Sequence, residues 1–231
     1  MNDCAKCGGT GWLPKGTGVI RCPQCQLRFS LSKAAIPQNL RRATFKGYRP
    51  VTQSQTDAML QVRQWAKSYA GIGYRGLILT GTVGVGKTHL AVAALAEVAR
   101  TRSAKIRFLV TTQWLSSVMD TFGNESDSKE KFRERRAQAE DTELLVLDDV
   151  AQVSRTEFDR ELIFSLIAER YEQQLSTLFT SNLPPDRLAD SLGGAAVSRL
   201  YESTTQLVID RKSTRLNSSH VVTSYAVCCL K

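Results

Sequence analysis

Residues 76–88 read GLILTGTVGVGKT. The stretch opens as an apolar run, passes through three closely spaced glycines and ends on Lys87 and Thr88. A short apolar run bounded by turn residues predicts a buried strand. The run that follows, KTHLAVAALAEVAR, is rich in Ala and Leu and predicts a helix. Between them, Gly81-Thr82-Val83-Gly84-Val85-Gly86-Lys87-Thr88 fits G-x-x-x-x-G-K-[ST]. The competing reading is a chance glycine-rich turn. The strand before and the helix after are the context that gives the motif its meaning. Glycines there let backbone N–H groups converge on phosphate oxygens, and the helix N-terminus adds favourable partial positive charge. Lys87 is expected to reach the β- and γ-phosphates of ATP, and Thr88 to ligate Mg²⁺.

Residues 144–149 read LLVLDD. Four apolar residues bury a strand and deliver two carboxylates at its C-terminal end, where open α/β sheets bind ligands. Asp148 is expected to hold Mg²⁺ and Asp149 to orient or deprotonate an attacking water. Thr180-Ser181-Asn182 ends another strand-like run. Asn182 there could bond the γ-phosphate or the lytic water. The alternative is a plain turn, which Asn-Leu-Pro-Pro favours in any case. Arg199 lies in a short helix predicted over residues 195–202. An arginine in that place can stabilise a neighbouring subunit's transferring phosphoryl group; an ordinary surface arginine competes with that role. His89 is read as a packing residue. No Ser/His or Cys/His constellation suggests a hydrolase triad.

Helices are predicted over residues 56–69, 87–100, 113–122, the second half of 126–141, and 157–174. Strands are predicted over 76–80, 105–110, 143–147, 177–180 and 206–209. Strands alternating with helices imply an α/β fold with a parallel sheet covered on both faces.

The chain opens differently. Residues 4–12 read CAKCGGTGW, and Cys4-x-x-Cys7 is followed by Cys22-x-x-Cys25. Two C-x-x-C knuckles can close a tetrahedral four-thiolate Zn²⁺ site. A redox dithiol is the competing reading, but it needs one such pair in a βαβ context. A segment this small cannot bury a sufficient core, so metal would supply its folding energy.

These features divide the 231 residues into an expected zinc-binding knob at 1–26, a basic connector at 27–57, an ATPase domain at 58–212 and a tail at 213–231 that reads as non-native. The tail reads STRLNSSHVVTSYAVCCLK, has no acidic residue and ends on a Cys-Cys pair followed by Leu-Lys. Without its Arg215 and Lys231 the formal charge falls from +9 to +7, so the basic bias survives. That bias favours a polyanionic partner. Lys129, Lys131, Arg133, Arg135 and Arg136 form a basic run, but Glu130 and Glu134 intervene. A solvated, salt-bridged helix face is the plainer account of it. There is neither an apolar run of membrane-spanning length nor a signal-peptide core, so the expected compartment is the cytoplasm, without a membrane partner.

The segments GTVGVGKTHLAVAALA, LLVLDDV, LIAERYEQ, TLFTSNLP and VSRL, in this order, resemble the DnaC/DnaI-type helicase loaders and their relatives, the IstB transposition ATPases. AAIPQNLRRATF is similar to the segment preceding their ATPase core. The resemblance implies a P-loop AAA+ fold, ATP hydrolysis, self-association, single-stranded DNA and a replicative hexameric helicase as partner. It implies Walker B roles for Asp148 and Asp149, sensor-1 for Asn182 and the arginine finger for Arg199. It also suggests helicase docking through the zinc-bearing N-terminus. The second Walker B acid is Asp rather than Glu, one methylene shorter, which implies slow turnover. An IstB-like transposition helper shares the core, and a zinc-dependent nucleic-acid adaptor with a vestigial ATPase is a further alternative.

Overall fold

The computed structural model describes residues 4–69, 71, 73–102, 104–123, 128–152, 156–184, 187, 188, 192, 194, 198, 200 and 204–209. The chain begins with an antiparallel hairpin of β1 (Trp12–Lys15) and β2 (Gly18–Arg21), followed by helix α1 (Pro23–Lys33). Proline at the first position of α1 suits a helix start, since its missing N–H has no partner there anyway. α1 runs across the boundary expected between knob and connector.

The connector is no free tether. Ala34, Ile36, Ala43 and Tyr48 are buried in the main core, while Arg41, Arg42 and Lys46 face outward. The carbonyl of Ala34 accepts the Phe108 N–H at 2.7 Å, fixing the end of α1 to the large sheet.

The second helix, α2 (Gln53–Lys67), starts three residues before its predicted position. Thr52 caps it: its side chain accepts the Gln55 N–H while the Gln55 side chain returns to the Thr52 backbone. This reciprocal box satisfies two otherwise orphaned donors. There follow β3 (Gly76–Gly81), α3 (Lys87–Thr101), β4 (Ile106–Val110), α4 (Thr111–Met119), α5 (Ser128–Glu140), β5 (Leu144–Asp148), α6 (Glu157–Glu172), β6 (Ser176–Ser181) and β7 (Thr204–Ile209). Helix α6 is capped by Thr156 and Asp159 in the same manner as α2.

The five strands β3–β7 form one parallel sheet in the order β4-β5-β6-β3-β7. Side chains alternate between two cores, as the pleat requires. Leu77, Leu79, Leu144, Val146 and Leu178 face the core shared with α2 and α3. Ile78, Leu145, Leu147 and Phe179 face the core shared with α4 and α6. Burial on both faces explains why these strands read as continuous apolar runs. Because β5, β6 and β3 are parallel neighbours, their C-terminal ends meet at one edge. The P-loop, the acid pair and Asn182 each follow one of those strands.

Candidate nucleotide site and metal centre

Two glycines shape the phosphate loop. Gly86 caps α3 with φ of +92°, and a Cβ there would collide with the ring of Tyr48. Gly84 has φ of +83° with open space beside it. Such angles are easily reached only without a side chain. The Tyr48 hydroxyl donates to the Val85 carbonyl at 2.7 Å, so the connector grips the loop from behind. His89 sits beside it, its Nε2 2.9 Å from the Thr44 carbonyl and its ring centroid 5.5 Å from that of Tyr48.

Lys87 is largely buried, and its ammonium donates to the carbonyls of Gly81 at 2.7 Å and Thr82 at 2.9 Å. These acceptors are neutral and leave its positive charge for a ligand. Burial lowers its pKa, against which the charges of Asp149 and Asp148 act.

Asp148 is the hub of the acid side. Its Oδ1 accepts the Thr88 hydroxyl at 2.9 Å and the Thr180 hydroxyl at 2.6 Å. The Asp148 carbonyl accepts the Thr111 hydroxyl at 2.7 Å. Asp149 follows in the left-handed region at φ 58°, which Asp tolerates better than most residues. Its N–H donates to Thr180 Oγ1 at 2.9 Å, and its Oδ1 accepts Asn182 Nδ2 at 3.0 Å. Burial, and next the Asp148 charge, raise the Asp149 carboxyl above its ordinary range; Lys87 and Asn182 pull the other way.

Lys87, Thr88, Asp148, Asp149 and Asn182 therefore line one cavity of about 350 Å³, with Thr180 and His89 also on its wall. Sequence reading assigned Thr180 and Thr111 no role, and neither carries a motif. A polar residue at the C-terminal end of a buried strand is the signal that could have marked Thr180. Arg199 lies outside the described residues, as do most of the helix predicted around it and the tail.

The residues fit Mg²⁺ and a nucleotide. Thr88 and Asp148 bring two hard oxygen donors together. Beside them, Lys87 and a left-handed glycine loop at a helix N-terminus offer positive potential.

At the other end of the chain, the sulfurs of Cys4, Cys7, Cys22 and Cys25 all lie within 4.8 Å of one another. Cys4 and Cys22 Sγ are 3.8 Å apart, and Cys7 and Cys25 Sγ 3.5 Å. A tetrahedron with Zn–S of about 2.3 Å has edges of ~3.8 Å, so the cluster fits zinc. Gly8, Gly9 and Gly11 take φ of 57°, 85° and 79°, turning the first knuckle. That turn aims the Gly11 N–H at Cys7 Sγ, 3.3 Å away. Burial raises the Cys7 thiol, but Gly11 and the neighbouring sulfurs outweigh it and bring it down to about 6. All four cysteines are unpaired by disulfides.

A family model described as IstB-like ATP binding protein matches residues 72–221. The replicative helicase loader DnaI of Bacillus subtilis (strain 168) is 30% identical over 155 residues, 66% of this chain and 48% of that protein. An insertion-sequence ATP-binding protein of Mycobacterium tuberculosis is 32% identical over 148 residues, 60% of this chain and 55% of that protein. The chain spans about half the length of these curated relatives. The crystal structure of the DnaC helicase loader superimposes with a TM-score of 0.64 at 30% identity, covering 75% of this chain and 99% of that one. The crystal structure of DnaI, at 20% identity and a TM-score of 0.65, covers 76% of this chain and 95% of that one and has the same fold. The core is thus an AAA+-like α/β domain with a metal-competent cysteine cluster before it.

Proposed function

Because the chain belongs to the IstB-like ATP-binding protein family, we propose that it is an AAA+ ATP hydrolase that loads a replicative hexameric helicase onto single-stranded DNA. The observation that carries the loader reading is the DnaC helicase loader, matched over 99% of its solved chain at 30% identity.

The site supports hydrolysis by water. Lys87 holds the β- and γ-phosphates, and Thr88 and Asp148 hold Mg²⁺, which neutralises phosphate charge when bound. Asp149 accepts the proton of the attacking water while the bond to the departing ADP oxygen breaks. Asn182 fixes the Asp149 carboxylate through its 3.0 Å bond. Thr180 keeps the two acids in register, touching the side chain of one and the backbone of the other. Arg199 of an adjoining protomer completes the site, so turnover is slow until subunits associate. Among the described residues no helix is long and apolar enough to cross a membrane.

Native mass spectrometry of the chain with its source's replicative helicase, ATP and single-stranded DNA tests the loader role. A ternary complex lost on Cys4→Ser/Cys7→Ser substitution is the expected result. The insertion-sequence relative at 32% identity favours a second reading, a transposition helper. Absence of a helicase complex with ATP turnover intact would select it.

A further inference from the structure

The positive charge of this protein is not spread evenly. Between residues 4 and 56 the sequence has no Asp or Glu, and every Lys and Arg there is exposed. In the first knuckle, the hairpin and α1 these are Lys6, Lys15, Arg21, Arg28 and Lys33. No carboxylate of residues 4–56 offsets them, so that stretch contributes side-chain charge of one sign.

The same surface exposes aromatic rings. Trp12 is 48% exposed and Phe29 57% exposed, unusual for the two largest apolar side chains of so small a unit. Register explains part of this. Trp12 pairs with Arg21 and Pro14 with Val19, so these four share one face of the hairpin. Phe29 comes from α1, yet it lines the same cleft of about 240 Å³ as Trp12, Gly11, Arg21, Cys22 and Cys25. The Arg21 guanidinium lies 5.7 Å from the Trp12 ring centroid, and the Lys33 ammonium 4.4 Å from that of Phe29. Each ring therefore has a cation beside it and a large part of its surface in solvent.

Aromatic platforms set among cations are what single-stranded nucleic acid needs. Bases stack on the rings, and the phosphates between them meet Lys and Arg. An acidic protein segment would use the charges but leaves two open rings unexplained. A duplex would offer phosphates and no unstacked base. We propose that the face of the zinc knob formed by Trp12, Arg21 and Phe29 is a binding site for single-stranded nucleic acid. Bases stack at the Trp12–Phe29 cleft, and Arg21, Arg28 and Lys33 hold the backbone. This site lies outside the ATPase cavity, needs no nucleotide, and does not depend on the hydrolysis reading.

The test uses the zinc-loaded full chain without ATP, a labelled oligo-dT probe and fluorescence anisotropy. Intrinsic tryptophan emission is followed in parallel. Trp12→Ala and Phe29→Ala should each weaken binding roughly 5- to 150-fold. Trp12→Phe should retain most of the affinity but lose the quenching that stacked bases cause. Zinc content is measured for each variant, and one that has lost zinc is replaced by Trp12→Leu or Phe29→Leu, which keep bulk and remove stacking. Affinity should fall steeply with salt, and an oligo-dA·dT duplex should bind more weakly. Unchanged oligo-dT affinity in zinc-replete Trp12 and Phe29 variants would overturn the proposal. So would loss of binding to a poly-glutamate peptide with oligo-dT binding intact, which would make the face a protein-docking surface. Phosphate release by the wild-type chain, measured separately, bears only on the ATPase.

Discussion

Replacing Thr180 with Val keeps shape and volume and removes one hydroxyl. That hydroxyl donates to Asp148 Oδ1 at 2.6 Å and accepts the Asp149 N–H at 2.9 Å. Thr180 is 1% exposed, so little of its side chain reaches the cavity it lines. A hydrogen bond to a charged group contributes about 1.5–3 kcal/mol, and an amide left unpaired in the interior costs about 1–3 kcal/mol. Asp148 retains Thr88 as a donor at 2.9 Å, which softens the first loss. Together the two losses destabilise Thr180→Val by roughly 3 kcal/mol. Thr180→Ser keeps both bonds and forfeits one methyl, about 1 kcal/mol. Urea unfolding measures the difference. The second readout is turnover: Asp149 is held by its backbone in a left-handed turn, and misplacing it should lower kcat by about 10- to 100-fold, each tenfold being about 1.4 kcal/mol. The Mg²⁺ concentration for half-maximal ATP binding should also rise, since Asp148 loses its rigid orientation. Equal stability, equal kcat and equal Mg²⁺ dependence in the Val and Ser variants would refute the idea that Thr180 couples the two acids.

Three further outcomes are expected. Burial holds Asp149 above the ordinary carboxylate range, so its base form is lost at a higher pH than for a free Asp. Asn182→Ala, which removes a donor to that carboxylate, should move the acid limb of the kcat profile higher still; an unmoved limb would show that another group titrates. Gly86→Ala should cost roughly 2–4 kcal/mol in unfolding, from a positive φ and from collision with Tyr48. Gly84→Ala, at φ +83° with open space around it, should cost only the backbone part, about 1–2 kcal/mol. Finally, one zinc per chain should be released by chelation or by Cys22→Ser, leaving residues 4–33 open to protease while the ATPase sheet stays protected; protease resistance without zinc would show that the knob folds on packing alone.

What could be read from the sequence was local. GTVGVGKT and LLVLDD each carry loop, strand and chemistry within a few residues, and the parallel sheet follows from such runs alternating with helices. The cysteine pairs were legible for the same reason. The starts of α2 and α6 were also written, as T-x-x-Q at Thr52 and T-x-x-D at Thr156, though hydrophobic periodicity alone set the first of them three residues late. Helix α1 was harder: PQCQLRFSLSK has no acidic residue in its first turn and buries no side chain fully, so it lacks the periodic stripe that marks a helix. Long-range contacts that no motif carries were not legible. Thr180 meets Asp148 across 32 residues, and Tyr48 meets Val85 across 37. Only strand order brings the first pair together, and only the packed connector the second. A basic, polar connector composition likewise hid that Ile36, Ala43 and Tyr48 belong to the core.

The proposed hydrolysis turns on Asp149 as its base. Phosphate release should be followed for the wild-type chain and Asp149→Asn with Mg²⁺-ATP, single-stranded DNA and chain concentrations high enough for self-association. Binding of a fluorescent ATP analogue should be followed alongside. The prediction is phosphate release by the wild type and its near-complete loss in Asp149→Asn, with analogue binding kept within a few-fold. Equal release by both proteins, or none by the wild type under conditions where it binds the analogue, would contradict it.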